Sequence, residues 1–237
     1  VLPRRVWIVA HYIEDVELTP RYASLVEEAV FLVRAGILQG SILVSGSRVA
    51  AGVLLGALVG IPLGLAMGRA ARLECLLEPW GAFFRFTPAF ALLPLYVLWF
   101  GLGEGPKVGL IATGVAIVTL HGAFEGARRI PTVYLEVAAS LGAGRAMVLR
   151  RLVLPAALPS FVSSVRIATA LAWVTVVVAE LIQPTMPSLG YLLALAGAYP
   201  RVPTMVVAIG ATGALVLVSD VLVLAAYQRA TRWMRRR

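Results

Sequence analysis

Between Val49 and Gly68 the chain carries no charged residue, and a glycine stands at every fourth position: Gly52, Gly56, Gly60, Gly64 and Gly68. An apolar helix of about 20 residues rises roughly 30 Å, the thickness of a bilayer's hydrocarbon core. A four-residue period places the glycines on one ridge of that helix. Such a ridge lets a second helix approach backbone to backbone, which is how helices associate where water supplies no hydrophobic drive. The segment therefore predicts a membrane span with a close partner.

The rest of the sequence repeats the theme. Of 237 residues, 60% are hydrophobic and 14% charged, and the mean hydropathy is +0.89; a soluble domain has a different balance. Four more spans are predicted: Phe86 to Gly103, Val108 to Phe124, Pro159 to Ile182 and Val202 to Tyr227. Pro88 and Pro94 are expected to kink the first of these, freeing carbonyls that neighbouring helices or a watery cavity must satisfy. Residues 20–40 mix Leu25, Val26, Val30, Leu32 and Val33 with Arg21, Glu27, Glu28 and Arg34, the pattern of an amphipathic helix at a membrane interface. The expected organisation is thus an N-terminal segment, 1–43, followed by an all-α polytopic membrane domain, 44–237.

Charge orients the spans. Twelve arginines (Arg69, Arg72, Arg128, Arg129, Arg145, Arg150, Arg151, Arg229, Arg232, Arg235, Arg236 and Arg237) lie in one set of loops and the tail, whereas the alternate loops offer only Lys107 and Arg201. The positive-inside rule then predicts a cytoplasmic loop at about 125–158 and a cytoplasmic C-terminus. Five spans leave the N-terminus outside, yet Arg4, Arg5, Arg21 and Arg34 lie there; a preceding span missing from this chain, or an N-terminal segment resting on the outer surface, reconciles the count. The net charge of +9 is read as membrane orientation, and no nucleic-acid site is expected in a chain with no polar domain to hold one. Cys75 stands alone, which excludes an internal disulfide. No cluster has metal-ligand spacing, no glycine-rich phosphate loop occurs, and neither His11 nor His121 has a partner in sequence, so no catalytic or metal site is expected.

The cytoplasmic loop carries the most specific pattern. Glu136-Val137-Ala138-Ala139-Ser140-Leu141-Gly142 precedes a basic stretch and then Leu152-Val153-Leu154-Pro155. Small alanines permit close approach, Gly142 permits a bend with Gly144 beside it, and Pro155 keeps the next helix from continuing unchanged. This spacing resembles the EAA motif of ABC importer permeases, with Val137 in place of the first alanine and Leu152 in place of isoleucine, both apolar exchanges that keep the register. Arg85-Phe86-Thr87-Pro88, the run from Leu93-Pro94 to Phe100-Gly101, Leu154-Pro155-Ala156-Ala157-Leu158-Pro159, Val165-Arg166-Ile167, Ala172-Trp173, Ala179-Glu180 and Gly190-Tyr191 are similar to the nitrate/sulfonate/taurine branch. The likeness covers roughly Arg34 to Arg237.

The resemblance implies a type I importer permease fold, usually with six spans, which makes a truncated or misassigned start the leading explanation of the unbalanced count. It implies a multi-pass protein of the bacterial inner membrane working as a pair of copies, two cytoplasmic ATPase subunits docked on the loop, and an extracytoplasmic solute-binding protein. The chain itself then binds no cofactor, ATP and Mg²⁺ belonging to the partner ATPase, and is not an enzyme. Carried onto this sequence, Glu136, Val137, Ala138, Ala139, Gly142, Gly144, Leu154 and Pro155 form the ATPase-coupling element. Val133, Val137 and Leu141, at four-residue spacing, are expected to hold the loop helix to its own domain. The branch implies a small anion such as a sulfonate, taurine or nitrate; related permeases take pyrimidine or thiamine precursors.

Two charges lie inside predicted spans, Arg166 and Asp220. Intramembrane charges face a bundle interior or water. Snorkelling of Arg166 to the cytoplasmic surface, with Asp220 capping or pairing structurally, is one expectation; a translocation path in which Arg166 attracts an anion from a cytoplasmic vestibule is the other, and Trp173 and Phe100 are packing residues or linings of that path. Glu180 is expected to make a structural or gating contact. A secondary transporter or channel requires inverted repeats or paired midplane charges, and a membrane enzyme requires clustered catalytic groups; the sequence shows neither pattern.

Overall fold

The structure, a computed structural model, describes residues 22–185 and 187–231. His11, Arg4, Arg5, Arg21 and the last arginines of the tail lie outside the described residues. Every regular element described is a helix. In chain order these are α1 (Tyr22–Arg34), α2 (Ile37–Met67), α3 (Ala71–Phe86), a 3-10 turn (Ala89–Leu92), α4 (Leu93–Phe100), α5 (Glu104–Arg128), α6 (Thr132–Ser140), α7 (Arg145–Val148), a π turn (Leu149–Val153), α8 (Leu154–Ile182), α9 (Leu189–Ala198) and α10 (Val202–Ala230).

Four stretches are long and apolar enough to cross a membrane: α2, α5, Arg145–Ile182 and α10; a fifth span requires counting α3 with the Ala89–Phe100 segment, which meets it at 92°. The second expected span is therefore corrected. It is not one helix from Phe86 to Gly103 but two arms joined at Thr87-Pro88, both extended in backbone. Pro88 disfavours a helical conformation at the residue before it, which places the break at Thr87. Pro94, by contrast, sits in the first turn of α4, where a missing N–H costs nothing, and it causes no kink.

α2 begins earlier than its charge-free core, and Arg48 is carried inside the helix at 3% exposure. Its guanidinium forms a two-pronged pair with Glu104 at the start of α5. The expected outer loop ending at Lys107 is likewise shorter, since α5 starts at Glu104 and buries Lys107 in its first turn.

The glycine ridge does what its period predicts. A Cβ added to Gly52, Gly56, Gly60, Gly64 or Gly68 falls within 3.0 Å of α5 atoms, among them the carbonyl oxygens of Ala112, Ala116 and Leu120. α2 and α5 are thus in backbone contact along the whole ridge. An adjoining face of α5 packs on α8 through a second small-residue pair, Gly122 and Gly126, set against Ser164, Ser160 and Ala157. Leu65, Ala123, Ala127, Ile130, Val153, Ala157 and Phe161 make the core at that end.

The chain divides into two compact units. The larger contains Gly46–Ala179 and the chain from Leu215 onward, and holds the contacts just described. The smaller comprises the chain up to Ser45 and Glu180–Ala214. In it Gly36, between α1 and α2, takes a φ of 71°, which favours glycine and interrupts the helix. Glu180 is fully buried there. Its carboxylate accepts from Ser45 Oγ at 2.9 Å and from the Gly190 N–H at 2.9 Å. Ser188 caps α9 by accepting from Tyr191 N–H at 3.1 Å. Glu180 thus ties α2, α8 and α9 together.

Candidate functional site

The loop helix α6 stands outside the long helices and has no buried residue. Pro131 precedes it as the N-cap at φ −59° and ψ 137°, with no side-chain cap; its ring fixes φ and it has no N–H to satisfy. It ends in a Schellman motif: Ala143 N–H donates to Ala138 O and Gly142 N–H to Ala139 O, both at 2.9 Å, and Gly142 takes a φ of 71°. A side chain at that φ is strained by about 1–2 kcal/mol, so glycine is required for the bend rather than merely permitted.

The structure corrects the expected anchoring of this helix. Val133 is 60% exposed, Val137 52% and Leu141 82%, with Tyr134 beside them at 59%. They are the outward face and do not hold α6 to its own domain. Leu135 does, packing against the core around Leu65, Ala127 and Val153. Glu136 and Ala139 are exposed and Ala138 is half-buried. Gly144 starts α7, and the Leu149–Val153 stretch widens to a π turn before Leu154 and Pro155. The physical reason is Pro155: its ring crowds the carbonyl four residues earlier and supplies no N–H, and a π turn relieves that clash without ending the helix. Leu154 remains exposed.

Arg166 and Asp220, unrelated in sequence, meet. The guanidinium donates to both carboxylate oxygens at 2.7 Å, joining α8 to α10. Trp173, on the same face of α8 two turns away, is buried and donates its indole N–H to Ser219 Oγ at 3.1 Å. Two of the three residues named for a path, Arg166 and Trp173, therefore lie against α10. Phe100, exposed at the end of α4, stacks on Tyr96 with ring centroids 5.8 Å apart.

Two cavities along the α5–α8 seam were not legible from single residues. One, of about 550 Å³, lies beside the Thr87-Pro88 break and is lined by Phe84, Phe90, Gly114, Val118, His121 and Leu171 among others. The other, of about 400 Å³, is lined by Gly122, Glu125, Arg129, Ser160, Ser163 and Ile167. On α5 the lining residues Gly114, Val118, His121, Glu125 and Arg129 recur every three or four positions; on α8 Ser160, Ser163, Ile167, Leu171 and Val174 do the same. Both cavities thus share one flank of the seam. Gly122 and Gly126, spaced like the α2 ridge, are the signal that could have located this contact.

Comparisons with known proteins identify the family. The family described as binding-protein-dependent transport system inner membrane component matches residues 52–236. A probable ABC transporter permease protein of Brucella abortus (strain 2308) is 36% identical over 217 residues, covering 92% of this chain and 86% of that protein. The taurine transport system permease protein TauC of Escherichia coli (strain K12) is 33% identical over 187 residues, covering 79% and 68%. In fold, the chain is similar to the inward-facing MetNI methionine ABC transporter, with a TM-score of 0.69 at 19% identity over 83% of this chain and 95% of that one. With the motif, the loop helix and the long apolar helices in agreement, the chain belongs to the binding-protein-dependent inner membrane components, as a transmembrane permease of an ABC importer.

Proposed function

We propose that this permease moves a small sulfonate- or taurine-like anion, and that it does so as a pair of copies driven by two cytoplasmic ATPase subunits docked on α6 and its flanking glycines. The observation that carries the coupling role is the apolar face of Val133, Tyr134, Val137 and Leu141, exposed outside the membrane-crossing helices. Exposed apolar clusters of this kind mark protein–protein contacts. Ala139 lets a partner approach the backbone, Glu136 sets orientation by charge, and the fixed bend at Gly142 transmits a push into Arg145–Ile182. ATP and Mg²⁺ reside on the ATPase. Closing of that partner shifts the permease between two packings of its helices. An extracytoplasmic binding protein delivers the cargo. The distribution of arginines supports a cytoplasmic α6 and C-terminus, and the taurine relative supports the cargo class.

The test is Ala139→Arg and, separately, Gly142→Pro in the assembled importer. Membrane insertion should persist, while co-purification of the ATPase is lost and ATP-dependent taurine uptake into vesicles falls at least tenfold. Undiminished uptake in both variants contradicts the coupling role.

A further inference from the structure

The clamp between α8 and α10 uses only one edge of each of its charged groups. Two of the five N–H groups of the Arg166 guanidinium, one on Nε and one on Nη2, donate to Asp220. Nη1 takes no part, and among the described residues it has no acceptor. Each Asp220 oxygen accepts one of these bonds and keeps a further lone pair. Both side chains stay exposed, at 40% and 37%, although they stand well inside two long apolar helices. Unmet N–H groups and a carboxylate do not lie against lipid tails, so this side of the pair faces water or a polar partner. The α8 surface beside it is polar as well. Ser163, three residues before Arg166 and its neighbour on the helix surface, lines the smaller cavity with Ser160 and Ser164. As a whole the pair is neutral. A simple anion drawn to the open guanidinium edge meets the Asp220 carboxylate next to it, and most of the attraction is cancelled; a simple cation at Asp220 meets the reverse. A small molecule carrying both charges fits better. Its acidic head takes the Nη1–Nη2 fork in two parallel N–H···O bonds, and its ammonium donates to Asp220.

We infer that the Arg166–Asp220 pair is a contact site for a zwitterionic cargo, Arg166 holding the sulfonate and Asp220 the ammonium while the two stay joined. The inference rests on the proposed function and narrows it: amino sulfonates are recognised here, and sulfonates or inorganic oxyanions without a cationic group are not.

The test is binding of radiolabelled taurine to the permease–ATPase complex in nanodiscs, without the binding protein, so that the permease's own preference is read. Unlabelled taurine should displace the label. Ethanesulfonate and ethylamine, which each keep one of its two charges, should compete about tenfold more weakly or worse. The double substitution Arg166→Gln with Asp220→Asn should keep most of the thermal midpoint and weaken taurine binding by about tenfold or more. The ligand series needs no variant, so it decides the matter even where the double substitution fails to fold. Ethanesulfonate competing as well as taurine, or a folded double variant that binds taurine like the parent, overturns the inference. Disulfide formation between two copies at Val221→Cys in a Cys75→Ser background, at a rate that taurine does not slow, assigns the exposed side to a second copy and overturns it too. ATP-coupled taurine uptake by the complete importer separates the two readings: uptake without charge-selective binding sinks the contact site alone, and such binding without uptake sinks the transport assignment alone.

Discussion

The two sides of α5 are built from the same material and end up as different things. Toward α2, five glycines at four-residue spacing bring two backbones into contact over the whole ridge. Toward α8 there are only two, Gly122 and Gly126, and cavities lie beside that seam. The lesson is that small residues do not by themselves mark a function. A continuous ridge makes a joint without gaps, and an interrupted one leaves space beside it.

Substitutions along these seams can break that contrast. The largest effect is expected at Gly60→Leu, whose new side chain points at the carbonyl of Ala116 and at Thr119. Backbone cannot give way as a side chain can, so overpacking should cost at least about 3 kcal/mol; the check is membrane-inserted yield and thermal midpoint, both of which should collapse. Second comes the α8–α10 clamp. Arg166→Gln or Asp220→Asn alone leaves one charged partner in the span without its counter-charge and should lower the thermal midpoint by several degrees. The double substitution should recover most of the loss, because no lone charge remains. A double variant as unstable as the sum of the singles would assign the residues independent roles.

A milder result is expected at Gly126→Ala, where the added Cβ meets Ser160 Cβ at 2.9 Å and Ala157 Cβ at 3.1 Å. The Ala157 carbonyl oxygen also lies 3.1 Å away, so the helices must part slightly and about 1–3 kcal/mol of destabilisation is expected, measured by chemical unfolding in mixed micelles. The smallest is Gly114→Ala, on the open flank. Its Cβ would lie 3.5 Å from Ala89 Cβ, an ordinary contact, and stability should stay within about 0.5 kcal/mol. If Gly114→Ala proved as damaging as Gly60→Leu, the two sides of α5 would not differ as described.

The glycine ridge, the long apolar spans and the loop motif could be read from the chain because each is a local, periodic pattern with one physical solution. What could not be read was long-range or masked. The α3 arm carries Arg72, Glu74, Glu78 and Arg85, which hide an apolar helix from a hydropathy reading and shift the apparent span to Phe86–Gly103. α9, ten residues between Pro187 and Pro200, is too short to cross a bilayer and reads as a loop. The Arg166–Asp220 and Arg48–Glu104 pairs join residues more than fifty positions apart, and no spacing rule connects them. Val133, Val137 and Leu141 show the opposite failure. Their period identifies a common face correctly, but periodicity does not say whether that face turns toward the chain's own core or toward a partner.

The most direct test of the central claim is uptake by reconstituted vesicles, with the permease alone compared with the permease joined to its ATPase and binding protein. Labelled taurine should accumulate only in the complete assembly and only with ATP and Mg²⁺ on the ATPase side. Accumulation or ion-coupled exchange by the permease alone would contradict it.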